Sequence, residues 1–87
     1  MNTEINSNLS KIHVGVIADT SSSTGHVLLG EYNGMVPVAA VPIACTEYCG
    51  AVIVHTGNYY AHLVSWYDAS VSVVNRAVTL VVFYARV

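Results

Sequence analysis

Ala77-Val78-Thr79-Leu80-Val81-Val82-Phe83-Tyr84-Ala85 closes the chain with nine residues that are almost all apolar. The enrichment in β-branched and aromatic side chains favours a pleated strand. Alternation with a period of two then assigns Val78, Leu80, Val82 and Tyr84 to one face, and Thr79, Val81, Phe83 and Ala85 to the other. Neither face is polar. A small domain has only one interior, so a strand that is apolar on both faces needs a second partner, and another copy of the same chain is the expected one. Composition repeats the message. Of the 87 residues 54% are hydrophobic and 9% are charged, against about 25% charged in an ordinary soluble domain.

Upstream, the same alternation recurs in 59–67, with Tyr60, His62, Val64 and Trp66 on one face and Tyr59, Ala61, Leu63, Ser65 and Tyr67 on the other. Shorter strands are expected over 12–18, 26–32, 50–55 and 71–74. Asn33-Gly34 is a hairpin signal, because both residues tolerate the positive φ of a type I′ turn. The apolar stretch 35–44 contains Pro37 and Pro42, which cannot donate to a ladder, so it is an edge strand or an irregular extended segment. No segment has a helical apolar period with caps. The chain therefore reads as all-β, a small antiparallel β-sandwich, jelly-roll-like, of about seven strands. Residues 1–11 form a polar N-terminal arm or connector, and residues 12–87 one β-sandwich domain.

The bulk numbers exclude several functions. A net charge of −2 with three scattered basic residues, Lys11, Arg76 and Arg86, gives no surface for a run of phosphates, so nucleic acid is not an expected partner. Apolar runs are interrupted by Pro37, Pro42, Glu47, Gly50 and His55, well short of the roughly 20 residues of a membrane span. The polar start of the chain has no signal-peptide pattern. Synthesis in a cytoplasm, exit by cell lysis, or excision from a longer chain are the expectations that follow. Cys45 and Cys49 flank Thr46-Glu47-Tyr48. If these three residues form a hairpin loop, the two thiols can bridge across it. Two buried thiols acting as small hydrophobes are the favoured reading, since nothing else suggests an oxidising compartment.

Chemistry is thinly marked. Four histidines and two cysteines are present, but neither His55-x6-His62 nor Cys45-x3-Cys49 has metal-finger spacing, and no His-x-His occurs. No metal and no cofactor is expected. There is no Gly-x-Ser-x-Gly elbow and no phosphate loop, so no catalytic residues are assigned and the chain is not read as an enzyme. Aromatics concentrate at Tyr59, Tyr60, Trp66 and Tyr67, and aromatic faces stack on sugar rings. Trp66 is assigned to core or interface packing, with its polar tip at the surface. The ligand-binding candidates are Asn58, Tyr59, Tyr60 and Asp68, with the 20–24 loop as a second rim. The oligomer-interface candidates are Leu80, Val82, Phe83 and Tyr84.

Residues 48–87 resemble the C-terminal head domains of bacteriophage and prophage tail fibres. The resemblance is carried by the strand pair Ala51-Val52-Ile53-Val54-His55-Thr56-Gly57-Asn58-Tyr59-Tyr60, the aromatic strand after it, and the ending Val81-Val82-Phe83-Tyr84-Ala85-Arg86-Val87. It implies a homotrimer at the distal tip of a virion fibre, made in the host cytoplasm and binding a bacterial surface glycan or protein. The His-x-His motif of some fibre tips is absent. The alternative expectation is a structural trimerisation or capping domain with no ligand of its own.

Overall fold

The structure, a computed structural model, describes residues 11–86. The arm expected over 1–11 therefore lies, apart from Lys11, outside the described residues. Six strands follow one another: β1 (His13–Thr20), β2 (His26–Leu28), β3 (Val36–Cys45), β4 (Cys49–Thr56), β5 (Asn58–Ser65) and β6 (Ala77–Ala85). They form two three-stranded antiparallel sheets, ordered β1-β6-β3 and β2-β5-β4. Among the described residues there is no helix, and hence none long and apolar enough to cross a membrane. The chain alternates between the sheets through β1 to β4, runs β4 and β5 as a hairpin, and returns in β6 to the middle of the first sheet.

The two sheets close on one core. Val78, Leu80, Val82 and Tyr84 of β6 meet Val27 and Leu29 from the β2 side and Ala61 and Leu63 of β5, with Ala40 and Val73 completing the cluster. Leu63, Leu80, Val82 and Ala61 have no exposed surface at all. Burying a leucine or valine side chain completely stabilises a fold by roughly 1.5–3 kcal/mol. In the first sheet the core-facing rows are His13–Tyr84–Pro37, Gly15–Val82–Ala40 and Ile17–Leu80–Pro42. Gly15 belongs there because the Tyr84 ring lies over it. A Cβ at this position would come within 3.3 Å of that ring.

The opposite face of the same sheet has the rows Val14–Phe83–Ala39, Val16–Val81–Val41 and Ala18–Thr79–Ala44. Thr79 is the one polar side chain among these nine, and none is charged. Val16 is 66% exposed. Here the interface expectation divides. Of the four residues assigned to it, Leu80, Val82 and Tyr84 point into the chain's own core, and only Phe83 lies on the outward face. The period of two forbids neighbours from sharing a face, so Thr79, Val81 and Ala85 accompany Phe83. Nor is β6 an edge strand. It is hydrogen-bonded on both sides, which leaves β1 and β3 as the edges.

Local chemistry explains most strand limits. Asn33 (φ 47°) and Gly34 (φ 77°) form the expected two-residue hairpin, closed by hydrogen bonds between Tyr32 and Met35 in both directions, at 3.0 and 2.8 Å. β3 is the expected proline-bearing edge strand, and its two register shifts fall between Pro37 and Ala39 and between Pro42 and Ala44. Each proline withholds one donor, and the ladder slips by one residue beside it. The second strand is shorter than expected because Gly30, at φ 74°, turns the chain after Leu29. The seventh strand, 71–74, does not form. Ser72 makes a single bridge to Val64, and the turn at Asp68–Ser70 and Asn75 at φ 53° leave the segment no length.

The 71–76 segment is instead pinned. Buried Ser21 donates through Oγ to the Val73 carbonyl (2.9 Å) and accepts from the Arg76 N–H (3.0 Å), while its own N–H donates to the Arg76 carbonyl (2.9 Å). Gly25, at φ 81°, lies beneath the same segment, where a Cβ would meet Ser72 Cβ at 3.0 Å and the Val73 carbonyl oxygen at 3.2 Å. Replacing Ser21 by Ala strands a buried carbonyl and an N–H, with an expected cost of about 1–3 kcal/mol. Gly25→Ala adds a steric clash to an unfavourable backbone angle and is expected to destabilise by more than about 1 kcal/mol. Urea unfolding followed by circular dichroism checks both. A midpoint for Gly25→Ala equal to the parent's would contradict the assigned packing.

Candidate functional site

Asn58, Tyr59, Tyr60 and Asp68 do not share one site. Asn58 and Tyr59 line a hollow of about 230 Å³ with His55, Gly57, Gly30 and Glu31. Tyr59 is partly buried there, packed against the core and stacked on His55 with ring centres 4.0 Å apart and planes within 5°. Tyr60, one residue on, faces outward on the second sheet. It borders a separate depression of about 420 Å³ with Ser22, Thr24, His26, Leu28 and Thr56, so the 20–24 loop does form a rim, but to Tyr60 alone. Asp68 lies beyond the far end of β5. A strand advances about 3.3 Å per residue, so the eight residues of β5 place Asp68 roughly 20 Å from Asn58.

The aromatic side chains most open to solvent gather at that far end. Tyr48, in the β3–β4 turn, is 75% exposed, and Trp66 and Tyr67, just past β5, are 75% and 82% exposed. The Trp66 N–H donates to the Tyr48 carbonyl (3.0 Å), holding the turn against the end of β5. The Tyr48 and Tyr67 rings meet edge to face at 6.2 Å. Tyr48 and Trp66, but not Tyr67, line an apolar groove of about 570 Å³ together with Ala40, Cys49, Gly50 and Ala51. It lies on the open side of the molecule, where β3 and β4 belong to different sheets. Trp66 is therefore not a packing residue in the single chain. Nothing in the sequence showed that β5 ends at Ser65 and that its last core residue is Leu63.

Asp68 stands beside this cluster. Its Oδ1 accepts from the Ser70 hydroxyl (2.7 Å) and the Ser70 N–H (3.0 Å), and these two bonds hold its carboxyl below the ordinary aspartate range. The charged carboxylate and three exposed aromatic rings make an end of the molecule suited to a flat ligand with apolar faces and polar edges.

A second constellation escaped sequence reasoning. His26 and His62 are direct cross-strand partners on the outer face of the second sheet, with ring centres 4.7 Å apart. Thr24 Oγ1 lies 2.7 Å from His26 Nδ1, and Ser72 Oγ lies 2.8 Å from His62 Nε2. The residues are 36 positions apart, and only the β2–β5 register brings them together. Among the described residues no group of three or more histidine, cysteine or carboxylate side chains is placed to hold a metal. Glu47 pairs with Arg76 across 2.9 Å, both half exposed, a contact of the kind that contributes about 0–1 kcal/mol.

Comparisons of the chain with protein-family models, with curated proteins and with solved structures find no match in any of the three.

The segment 46–48 is not a hairpin loop, because β3 and β4 belong to different sheets; Cys45 and Cys49 flank it as free, partly buried thiols packed against the core. Burial, the hydrogen bond with Cys45, the charge of the Cys45 thiolate and the negative charge of Glu47 push the Cys49 thiol up to about 11. The thiolate is the reactive form. At pH 8 about one Cys49 in a thousand is ionised, given a value of about 11. Iodoacetamide labelling of Cys49, followed by peptide mass mapping, is expected to be slow at pH 8 and to accelerate about tenfold for each pH unit up to about 11. Cys45→Ala removes two of the causes and shifts the profile to lower pH. A labelling rate already at its plateau at pH 9 would overturn the assignment.

Proposed function

We propose that this chain is a self-associating binding domain of the bacteriophage tail-fibre head kind, which takes a bacterial surface glycan at the Tyr48–Trp66–Tyr67 end. The observation that carries the binding half is the trio of aromatic rings left in water beside an apolar groove, with the Asp68 carboxylate next to them. Tryptophan and tyrosine offer large rigid apolar faces at low entropic cost, and an exposed patch of this kind marks a contact surface. The resemblance of residues 48–87 supplies the setting: a jelly-roll-like head, threefold about a fibre axis, at the tip of a virion. The alternation of the first four strands between the sheets is compatible with that winding.

A second reading also has its own observation. The outer face of the first sheet, with Val14, Val16, Val41, Val81 and Phe83, is uncharged and faces water in the single chain. Its natural cover is another copy of that chain. If that is its whole task, the chain is a structural trimerisation or capping domain.

The two readings separate experimentally. Trp66→Ala and Tyr67→Ala are expected to lower binding to a glycan array and to host cells by about tenfold or more, the usual weight of a central aromatic anchor, with the oligomeric mass unchanged. Val81→Asp, which places a charge in the proposed contact, is expected to yield monomers by light scattering and to reduce adsorption through lost avidity. Adsorption intact after both aromatic substitutions leaves the structural reading. A parent protein that is monomeric at high concentration removes the self-association half of the proposal.

A further inference from the structure

The pair His26 and His62 carries an inference independent of self-association and of the aromatic groove. The chain's other two histidines are each stacked flat on a tyrosine, His13 on Tyr32 (3.7 Å, 7°) and His55 on Tyr59 (4.0 Å, 5°). His26 and His62 are not. Their centres are 4.7 Å apart and their planes are inclined by 32°. Two imidazoles sharing one metal ion, each with a metal–nitrogen bond of about 2.0–2.1 Å and a bond angle of about 90–110°, place their ring centres roughly 4.5–5.2 Å apart. The observed spacing falls within that interval without any movement of the backbone.

The surroundings are also those of a ligand pair. Each ring has one nitrogen held by a hydroxyl, His26 Nδ1 by Thr24 and His62 Nε2 by Ser72. A hydroxyl can accept the N–H of that nitrogen, which leaves a lone pair on His26 Nε2 and on His62 Nδ1. Metal-binding imidazoles are oriented by such a bond at the far nitrogen. Thr24 is itself fixed, since Ser22 Oγ lies 3.0 Å from its hydroxyl and accepts from the N–H groups of Thr24 (3.3 Å) and His26 (3.1 Å). Gly25 joins the two halves, because only a residue without a Cβ lets the 22–26 loop approach Ser72.

We propose that His26 and His62 form a two-histidine site for a borderline divalent transition metal, bound through His26 Nε2 and His62 Nδ1, with Thr24 and Ser72 as positioning residues. The remaining coordination positions are open to water, because no third ligand side chain lies nearby among the described residues. Such a nitrogen pair prefers Cu²⁺ over Zn²⁺.

The test uses the untagged full-length protein. Cu²⁺ added below one equivalent is expected to broaden the imidazole NMR lines of His26 and His62 together, before those of His13 and His55. Titration calorimetry with Cu²⁺ and Zn²⁺ should give one site per chain. His26→Ala and His62→Ala are each expected to weaken it at least tenfold, and Ser72→Ala to weaken it severalfold, within the range for lost orienting partners. His13→Ala should change nothing. Broadening of all four histidines in step, or equal affinity in either His26→Ala or His62→Ala, overturns the site. The line-broadening arm decides on the unsubstituted protein even if a variant fails to fold.

Discussion

Strand β6 is hydrogen-bonded along both of its edges and apolar on both of its faces, and the rest of the molecule is arranged around that double commitment. Its inward residues Leu80 and Val82 are fully buried and provide much of the contact between the two sheets. Its outward residues Val81 and Phe83 form the spine of an uncharged face. The neighbours β1 and β3 are not neighbours in sequence. They come together only because the end of the chain lies between them. Contacts between such distant segments close late in folding, since the entropy of loop closure precedes the gain from pairing. The domain is therefore incomplete until its last nine-residue strand is in place.

Much of this was visible in the residues themselves. Alternation over 59–65 and 77–85 matches the observed faces, because the period of a strand is a property of the backbone and needs no partner; it fails at Trp66 and Tyr67, which lie past the end of β5. Asn33-Gly34 and the two prolines likewise act locally, through φ and through a missing donor. What stayed hidden depends on register. The 71–74 segment has the composition of a strand, but lies between two turns and follows β5 for a single bridge. Assigning Leu80, Val82, Phe83 and Tyr84 to one surface mixed the two faces that alternation had already separated.

The site residues show the same division more sharply. Asn58, Tyr59, Tyr60 and Asp68 are close in sequence, yet β5 carries them to opposite faces and opposite ends. Tyr48 and Trp66, 18 residues apart, are brought together by the β4–β5 hairpin and one backbone hydrogen bond. His26 and His62 meet through pairing alone. Sequence proximity along a strand is a poor guide to a shared surface, because each step inverts the side chain and each pair of steps moves it about 7 Å.

The prolines of β3 have one more consequence. An open sheet edge is a template on which further strands can add without limit. On this edge the slips beside Pro37 and Pro42 break the even spacing that an incoming strand would need to match. The β3 margin of the first sheet is therefore a poor template for extension into a fibril.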